Sequence, residues 1–243
     1  MNRIDPLPLI TPQWPAPANV KAYSTTRSGG VSQGPYTSFN LGLHVGDDAE
    51  SVLQNRSLLP HAEQIVWLNQ VHGARVIELD KNSGQDQQAD ASVTTHKQVA
   101  CAVMTADCLP LLLCHKQAKA VAAVHCGWRG LAAGVIANTL DTLPDIPANY
   151  LAWLGPAIGP QAFEVGQEVL EHFPSQQGAF NRGKQAGKYL ANIYALASGQ
   201  LQQLGVKDIY SGNYCTFSQA DHFFSYRRDG QTGRMASVIC IAN

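Results

Sequence analysis

Residues 99–130 read VACAVMTADCLPLLLCHKQAKAVAAVHCGWRG. Three apolar runs, VACAVMTA, LPLLLCH and AVAAVHC, are separated by an Asp-Cys step and by a short polar turn. Each has the length of a strand and almost no interruption in hydrophobicity, the pattern of strands buried on both faces. After His125 the chain turns through Gly-Trp-Arg-Gly and continues as LAAGVIANTL, where Leu131, Val135, Ile136 and Leu140 share one side of a helix. The stretch predicts buried strands, a tight turn and a covering helix.

On either side the signals are of the same mixed kind. IVWL and ARVIEL upstream have β character, and a first strand is predicted over Val20 to Thr25. It leads into a polar loop, TTRSGGVSQGPYTSFNLG, whose glycines and proline forbid regular structure; the loop reads either as part of a site or as a surface excursion. Downstream, a helix is predicted over about Tyr189 to Leu204, with apolar positions at 190, 193, 196, 197, 201 and 204 and Gly205 as its stop. Strands and helices without regular βαβ repetition predict an α/β (α+β) fold, a mixed-sheet sandwich covered by helices. The 243 residues, 45% of them hydrophobic, suit one domain over 1–243 with a Pro-rich N-terminal segment over 1–17.

Several function classes are disfavoured. A formal net charge of −1 gives no overall basic field, so no nucleic-acid partner is expected and small molecules are. No apolar stretch approaches the roughly 20 residues that span a bilayer, and the Pro-rich start is neither signal peptide nor anchor. No membrane partner is therefore expected. The six cysteines form no CxxC pair, and free thiols in a reducing cytoplasm fit best. There is no GxGxxG and no GxxxxGK[ST], which argues against dinucleotide and Walker-type sites.

Three segments each offer a metal ligand at or near the end of an apolar strand: NQVHG with His72, TADCLP with Cys108, and AAVHCGWRG with His125. Two imidazoles and a thiolate suit a borderline-soft divalent ion, and three protein ligands leave a fourth position open for chemistry. The same residues also read as a capping histidine, a buried apolar thiol and a satisfied core histidine. Spacing alone favours this second reading without closing the first, because the three are not close enough in sequence to form a metal motif.

Five segments, STTRSGGVS, WLNQVHG, VMTADCLPLLL, VHCGWRG and FFSYRRDGQTGRMAS, together with WLGPAIGPQAFEVG, resemble the YfiH/PgeF family, also called the multicopper polyphenol oxidase or laccase-domain family. The resemblance runs from about Trp14 to Ile241. It implies a fold similar to that of the YfiH-like proteins and the cysteine deamidases. It also implies one zinc ion on His72, Cys108 and His125, with copper possible by substitution, and a pocket for a purine nucleoside and phosphate. The implied activity is phosphorolysis of adenosine, inosine and methylthioadenosine to base and (methylthio)ribose 1-phosphate, with hydrolytic deamination of adenosine beside it. The family's VHAGWRG is VHCGWRG in this chain. Adjacent side chains of a strand face opposite ways, so Cys126 is expected to point away if His125 faces the pocket.

With this chemistry in view, other residues take candidate roles. Asp107 and Asp90 are carboxylates for proton transfer or for holding base or ribose. Arg129 follows Gly127-Trp at a helix start, and Arg27, Arg227 and Arg228 can add paired hydrogen bonds to an anion. Asn40 and Gln70 are hydrogen-bond partners for base or ribose, and Tyr226 is the aromatic placed nearest substrate. Three alternatives stay open: Cys108 as a nucleophile with His125 as base in a hydrolase or deamidase, an accessory role as a peptidoglycan editing factor, and copper-dependent polyphenol oxidation. The last needs several copper centres, whereas this chain has eight histidines and no His-x-His pair. Composition fits a monomer or a homodimer equally.

Overall fold

The computed structural model describes residues 7–243; the first six residues of the Pro-rich segment lie outside the described residues. Ten strands build two main sheets: β1 (Val20–Ser24), β2 (Ile65–Val66), β3 (Val76–Glu78), β4 (Ala91–Thr94), β5 (Ala100–Thr105), β6 (Leu109–His115), β7 (Val121–Cys126), β8 (Tyr150–Leu154), β9 (Asp208–Ser211) and β10 (Met235–Ile241). A four-stranded sheet has the order β1-β10-β5-β2, and a six-stranded sheet the order β9-β8-β6-β7-β4-β3. Both mix parallel and antiparallel pairs. A smaller sheet joins Glu164–Gly166, Lys188–Ala191 and Phe180–Arg182.

Alternation of side chains explains the layers. In β5, Cys101 and Val103 point between the two sheets, where they meet Leu112, Cys114, Val121, Ala123, Trp153 and Ile239. Ala100, Ala102 and Met104 point the other way, onto Phe39, Leu41 and Trp67 under the loop layer. The opposite face of the six-stranded sheet, with Leu109, Leu111, Leu113, Ala122 and Val124, packs under helices. With apolar layers on both sides, the strands have no wet face, which is why their sequences run apolar without a break. The mixed-sheet sandwich covered by helices is thus the observed architecture.

Two helix expectations shift in detail. The helix after His125 is two pieces, α1 (Trp128–Ala132) and α2 (Val135–Thr142), broken at Gly134, whose φ of 84° no helix accommodates. Leu131, Val135, Ile136 and Leu140 nevertheless all face the core. The later helix, α3 (Ile193–Gln203), starts four residues after the predicted Tyr189. Asn192 caps it by accepting from the Ala195 N–H at 3.0 Å, and Tyr189 and Leu190 belong instead to a strand. Helical periodicity continues by chance into that strand, so only the cap marks the boundary. Gly205, at φ 97°, is the stop. All six cysteines are free, and among the described residues no helix is long and apolar enough to cross a membrane.

Candidate active site

Topology gathers the chemistry at one end of the sandwich. β6 and β7 are antiparallel neighbours with Leu109 opposite Cys126 and Pro110 opposite His125, so Cys108, just before β6, lies beside the end of β7. β4 runs antiparallel to β7 with Ala91 opposite Val124, which brings Asp90 to His125. β3 is parallel to β4 with Val76 opposite Ala91, so the chain before β3, carrying His72, meets the same end. The start of β10 pairs with the end of β5, Met235 opposite Thr105, and sets Arg234 next to the Ala106–Cys108 step.

At this end the ligand atoms of His72, Cys108 and His125 all lie within 4.8 Å of one another. Zinc bonds of about 2.0–2.1 Å to nitrogen and 2.3 Å to sulfur are reached from such a triangle by sub-ångström closure. Two neutral imidazoles and a thiolate are also a donor set that a borderline-soft divalent ion accepts, so the residues fit the metal that the family implies. His125 is buried, Cys108 half-buried and His72 exposed, which leaves the trio open on one side. Cys126, next to His125, is fully buried in the core between sheet and helices and points away.

Asp90 organises the trio from behind. It is fully buried, and Oδ1 receives the His72 N–H at 2.8 Å and meets His125 Nδ1 at 2.8 Å, while Oδ2 accepts from the Gly73 N–H at 2.7 Å and the Val71 N–H at 3.2 Å. With Nδ1 held by the carboxylate, His125 presents Nε2 to the cleft. Burial alone raises the Asp90 pKa, but the His125 hydrogen bond and the backbone N–H groups outweigh it and hold the carboxyl below its ordinary value. Burial likewise opposes charge on Cys108 and His125, yet each favours the charged form of the other: the thiol is lowered and the imidazole raised.

Two glycines make the packing possible. A Cβ on Gly127 would stand 3.1 Å from Cys108 Sγ and 3.3 Å from His72 Cδ2, and one on Gly130 would stand 2.9 Å from the Gly73 carbonyl oxygen. Gly127 has extended dihedrals that alanine also adopts (φ −69°, ψ 158°). Gly127→Ala is therefore expected to fold with an almost unchanged Tm while displacing the thiol and ring, so that any divalent metal the trio takes up is held about 10-fold more weakly, a size typical of disturbed ligand orientation; competition titration against a chromogenic chelator measures it.

The trio opens into a cleft of about 510 Å³ whose walls include Gln70, Asp107, Trp128, Arg129, Ile158, Phe163, Tyr226, Arg227, Arg234 and His44. Gln70 lines it, but its amide is tied to Met104, donating to the carbonyl at 2.9 Å and accepting the N–H at 2.7 Å. Asp107 also lines it, at φ 105°, with Oδ1 accepting from Thr216 Oγ1 at 2.6 Å and Oδ2 from the Arg227 N–H at 2.7 Å. Arg129 lies over Trp128, 4.4 Å from the ring centroid. Tyr226 is 62% exposed at the lip.

Four predicted contacts sit elsewhere. Arg27 is absent from the cleft wall and donates to the carbonyls of Thr37 (3.1 Å) and Ala220 (3.0 Å). Asn40 is buried and joins Gly42, Asp47 and Arg234. Arg228 spends its guanidinium on the Thr216, Phe217 and Phe223 carbonyls and on Asp229. Asp90 is behind the histidines, out of a substrate's reach. In each case the polar group already has partners inside the chain, and short-range sequence carries no trace of them. Conversely, His44 and Arg234 line the cleft without having been singled out; the glycines flanking them, in GLHVG and TGR, were the available signal. Desolvation, then the charge of Arg234, lowers the His44 pKa.

The family model described as multi-copper polyphenol oxidoreductase laccase matches residues 21–242. The chain is 51% identical over 237 residues to a Shigella flexneri protein named purine nucleoside phosphorylase YfiH, covering 95% of this chain and 98% of that one. It is 50% identical over 237 residues to the Escherichia coli K12 protein of the same name, with the same coverage. The crystal structure of Neisseria meningitidis protein NMB0706 superposes with a TM-score of 0.93 at 50% identity, covering 97% of this chain and 99% of that one. With its overall fold and nearly its whole length shared with these relatives, the chain belongs to the YfiH family of laccase-like proteins.

Proposed function

We propose that this protein is a purine nucleoside phosphorylase acting at the cleft, with one zinc ion held by His72, Cys108 and His125. The observation that carries the reading is that this trio and the side chains of Arg129, Arg227 and Arg234 line one cleft, whose volume falls in the range of small-molecule sites. The names of the relatives support the substrate class. Adenosine, inosine and methylthioadenosine are the proposed substrates, and adenosine deamination a second activity of the same cleft; the cytoplasm is the compartment that this reading implies.

A divalent ion bound there supplies Lewis acidity and the means to acidify a water. The chain's residues do the rest. Trp128, Phe163, Ile158 and Tyr226 provide apolar and aromatic surface on which a purine lies. The arginines offset the charge of the attacking anion. Asp90 keeps His125 in one tautomer, and Asp107 and Gln70 fix the loops that shape the cleft.

The test is to incubate zinc-loaded protein with adenosine and phosphate and to separate the products. Adenine and ribose 1-phosphate are expected, with activity lost to a chelator and restored by zinc. A protein that releases no base from any of the three nucleosides sinks the reading. A second reading has one observation in its favour: Asp90, His125 and Cys108 adjoin in that order, as orienting acid, base and nucleophile do in a cysteine hydrolase. It predicts activity untouched by chelation and abolished by stoichiometric alkylation of Cys108. Polyphenol oxidation is less well served, since among the described residues a single cluster has metal-ligand geometry; copper taken up by that site, which the Irving–Williams order favours, accounts for any such activity.

A further inference from the structure

The three arginines of the cleft are held in different ways. Arg129 is exposed and rests on Trp128. Arg227 is exposed, gives one N–H to the Glu164 carbonyl at 2.7 Å and lies 5.5 Å from the Phe163 ring centroid. Arg234 is half-buried and pinned at both ends. Its backbone N–H donates to Asn40 Oδ1 at 2.9 Å and its carbonyl accepts from the Leu41 N–H at 3.1 Å, while Nη1 donates to the Thr232 and Gly233 carbonyls, both at 3.0 Å. The surroundings are cut to admit it: a Cβ on Gly42 would stand 2.9 Å from Arg234 Cγ, and one on Gly233 would stand 2.7 Å from the Phe224 ring.

Among the described residues this fixed guanidinium has no carboxylate partner: no Asp or Glu lies within ion-pair distance of it, and neither Nε nor Nη2 donates to the chain. In the same turn the Thr232 hydroxyl is buried with no hydrogen-bond partner. Arg234 lines the cleft together with Asp107, Cys108, His72 and His125, and burial lowers its pKa. A rigid planar fork with free N–H groups, partly desolvated and aimed at such a cleft, matches a tetrahedral oxyanion that accepts two parallel hydrogen bonds.

We propose that Arg234 binds the inorganic phosphate co-substrate, an assignment that rests on the phosphorolysis reading. Two phosphate oxygens accept from the guanidinium, and a third forms the bond to C1′ of the ribose as the C1′–N9 bond breaks. The bonding pair leaves with the purine, and the proton of the monohydrogen phosphate ends on the departing base. Arg234 also lies 5.9 Å from the Tyr226 ring centroid, so burial and not aromatic contact sets it apart; Arg129 and Arg227, both exposed, flank the nucleoside instead.

Steady-state kinetics with phosphate and inosine varied independently tests the assignment. In Arg234→Met the phosphate KM is expected to rise about 10- to 100-fold, the loss of a charge-assisted pair, with the inosine KM within about 3-fold; Arg234→Lys should recover part of the loss. A phosphate KM unchanged within 3-fold, or two KM values rising in parallel, overturns the assignment. Should the variants fail to fold, the wild-type protein serves: phosphate should slow phenylglyoxal modification at Arg234, mapped by mass spectrometry. Protection confined to Arg129 or Arg227, or none at all, overturns it. A wild-type protein without phosphorolysis removes both the reading and the assignment, whereas an active wild type with an unaffected variant removes the assignment alone.

Discussion

Cys108→Ser is expected to reduce nucleoside phosphorolysis by more than about 100-fold, beyond the 10- to 100-fold that outer-shell changes cost, and to lower bound zinc from about one per chain to a small fraction. The serine hydroxyl is nearly isosteric but stays protonated near neutral pH, so it does not replace a thiolate as ligand. Fold stability should change little, because Cys108 is only half-buried and lies outside the strand core. Metal analysis of the purified variant, product release and a urea melt measure the three quantities separately. A variant that keeps its zinc and its turnover would remove Cys108 from the site. One that keeps its zinc yet loses turnover would point to the nucleophilic reading.

Asp90→Asn has a larger effect on the fold and a graded one on the chemistry. The carboxylate accepts three backbone N–H groups and meets His125 Nδ1. An amide oxygen replaces some of these bonds, but its NH₂ group confronts N–H donors. The expected cost is about 3–5 kcal/mol, the range for breaking a buried charged partner, with a 10- to 100-fold loss of metal affinity as His72 and His125 lose their common anchor. The stability difference should depend on pH. Because the Asp90 pKa is depressed in the folded state, its contribution is fully present above the unfolded-state value near 3.9 and is lost as pH falls through the lower folded value. Urea melts of the two proteins should therefore stay apart from neutral pH down to about pH 4 and converge below it. Curves separated by a constant amount to pH 2 would show that the charge of Asp90 is not what stabilises the fold.

The scaffold was legible from hydrophobic pattern, and the trio through the family resemblance; their meeting has a simple reason in the topology. His72, Cys108 and His125 are chemistry-bearing residues at the ends of apolar strands, and strand ends converge when neighbouring strands are antiparallel. The pairing of β6 with β7 brings Cys108 and His125 together almost by necessity, since the chain between them is one hairpin. His72 was less constrained, because its approach depends on β3 lying parallel to β4 at the sheet edge. The orientation of Cys126 followed from strand alternation alone.

The supporting residues were harder to read because arginines and carboxylates look alike in sequence whether free or committed. Arg227 and Arg228 are adjacent, yet one faces the cleft and the other is saturated by three carbonyls and Asp229. Asp90 and Asp107 both lie beside the trio and both accept backbone N–H groups, but Asp90 is buried behind the histidines whereas Asp107 also lines the cleft. Arg234 was overlooked because its position depends on Asn40 and Gly42, almost two hundred residues earlier in the chain.

By itself, then, the sequence determined the strand-rich sandwich and the helical cover, because hydrophobic period is a local property of the chain; His72, Cys108 and His125 stood out as a set only through the family resemblance, since residues so far apart in sequence are brought together by the fold. The tertiary structure alone decided which charged groups are free to meet a substrate. That is a matter of hydrogen-bond partners supplied by distant segments, and a guanidinium or carboxylate is available only where no such segment has already claimed it.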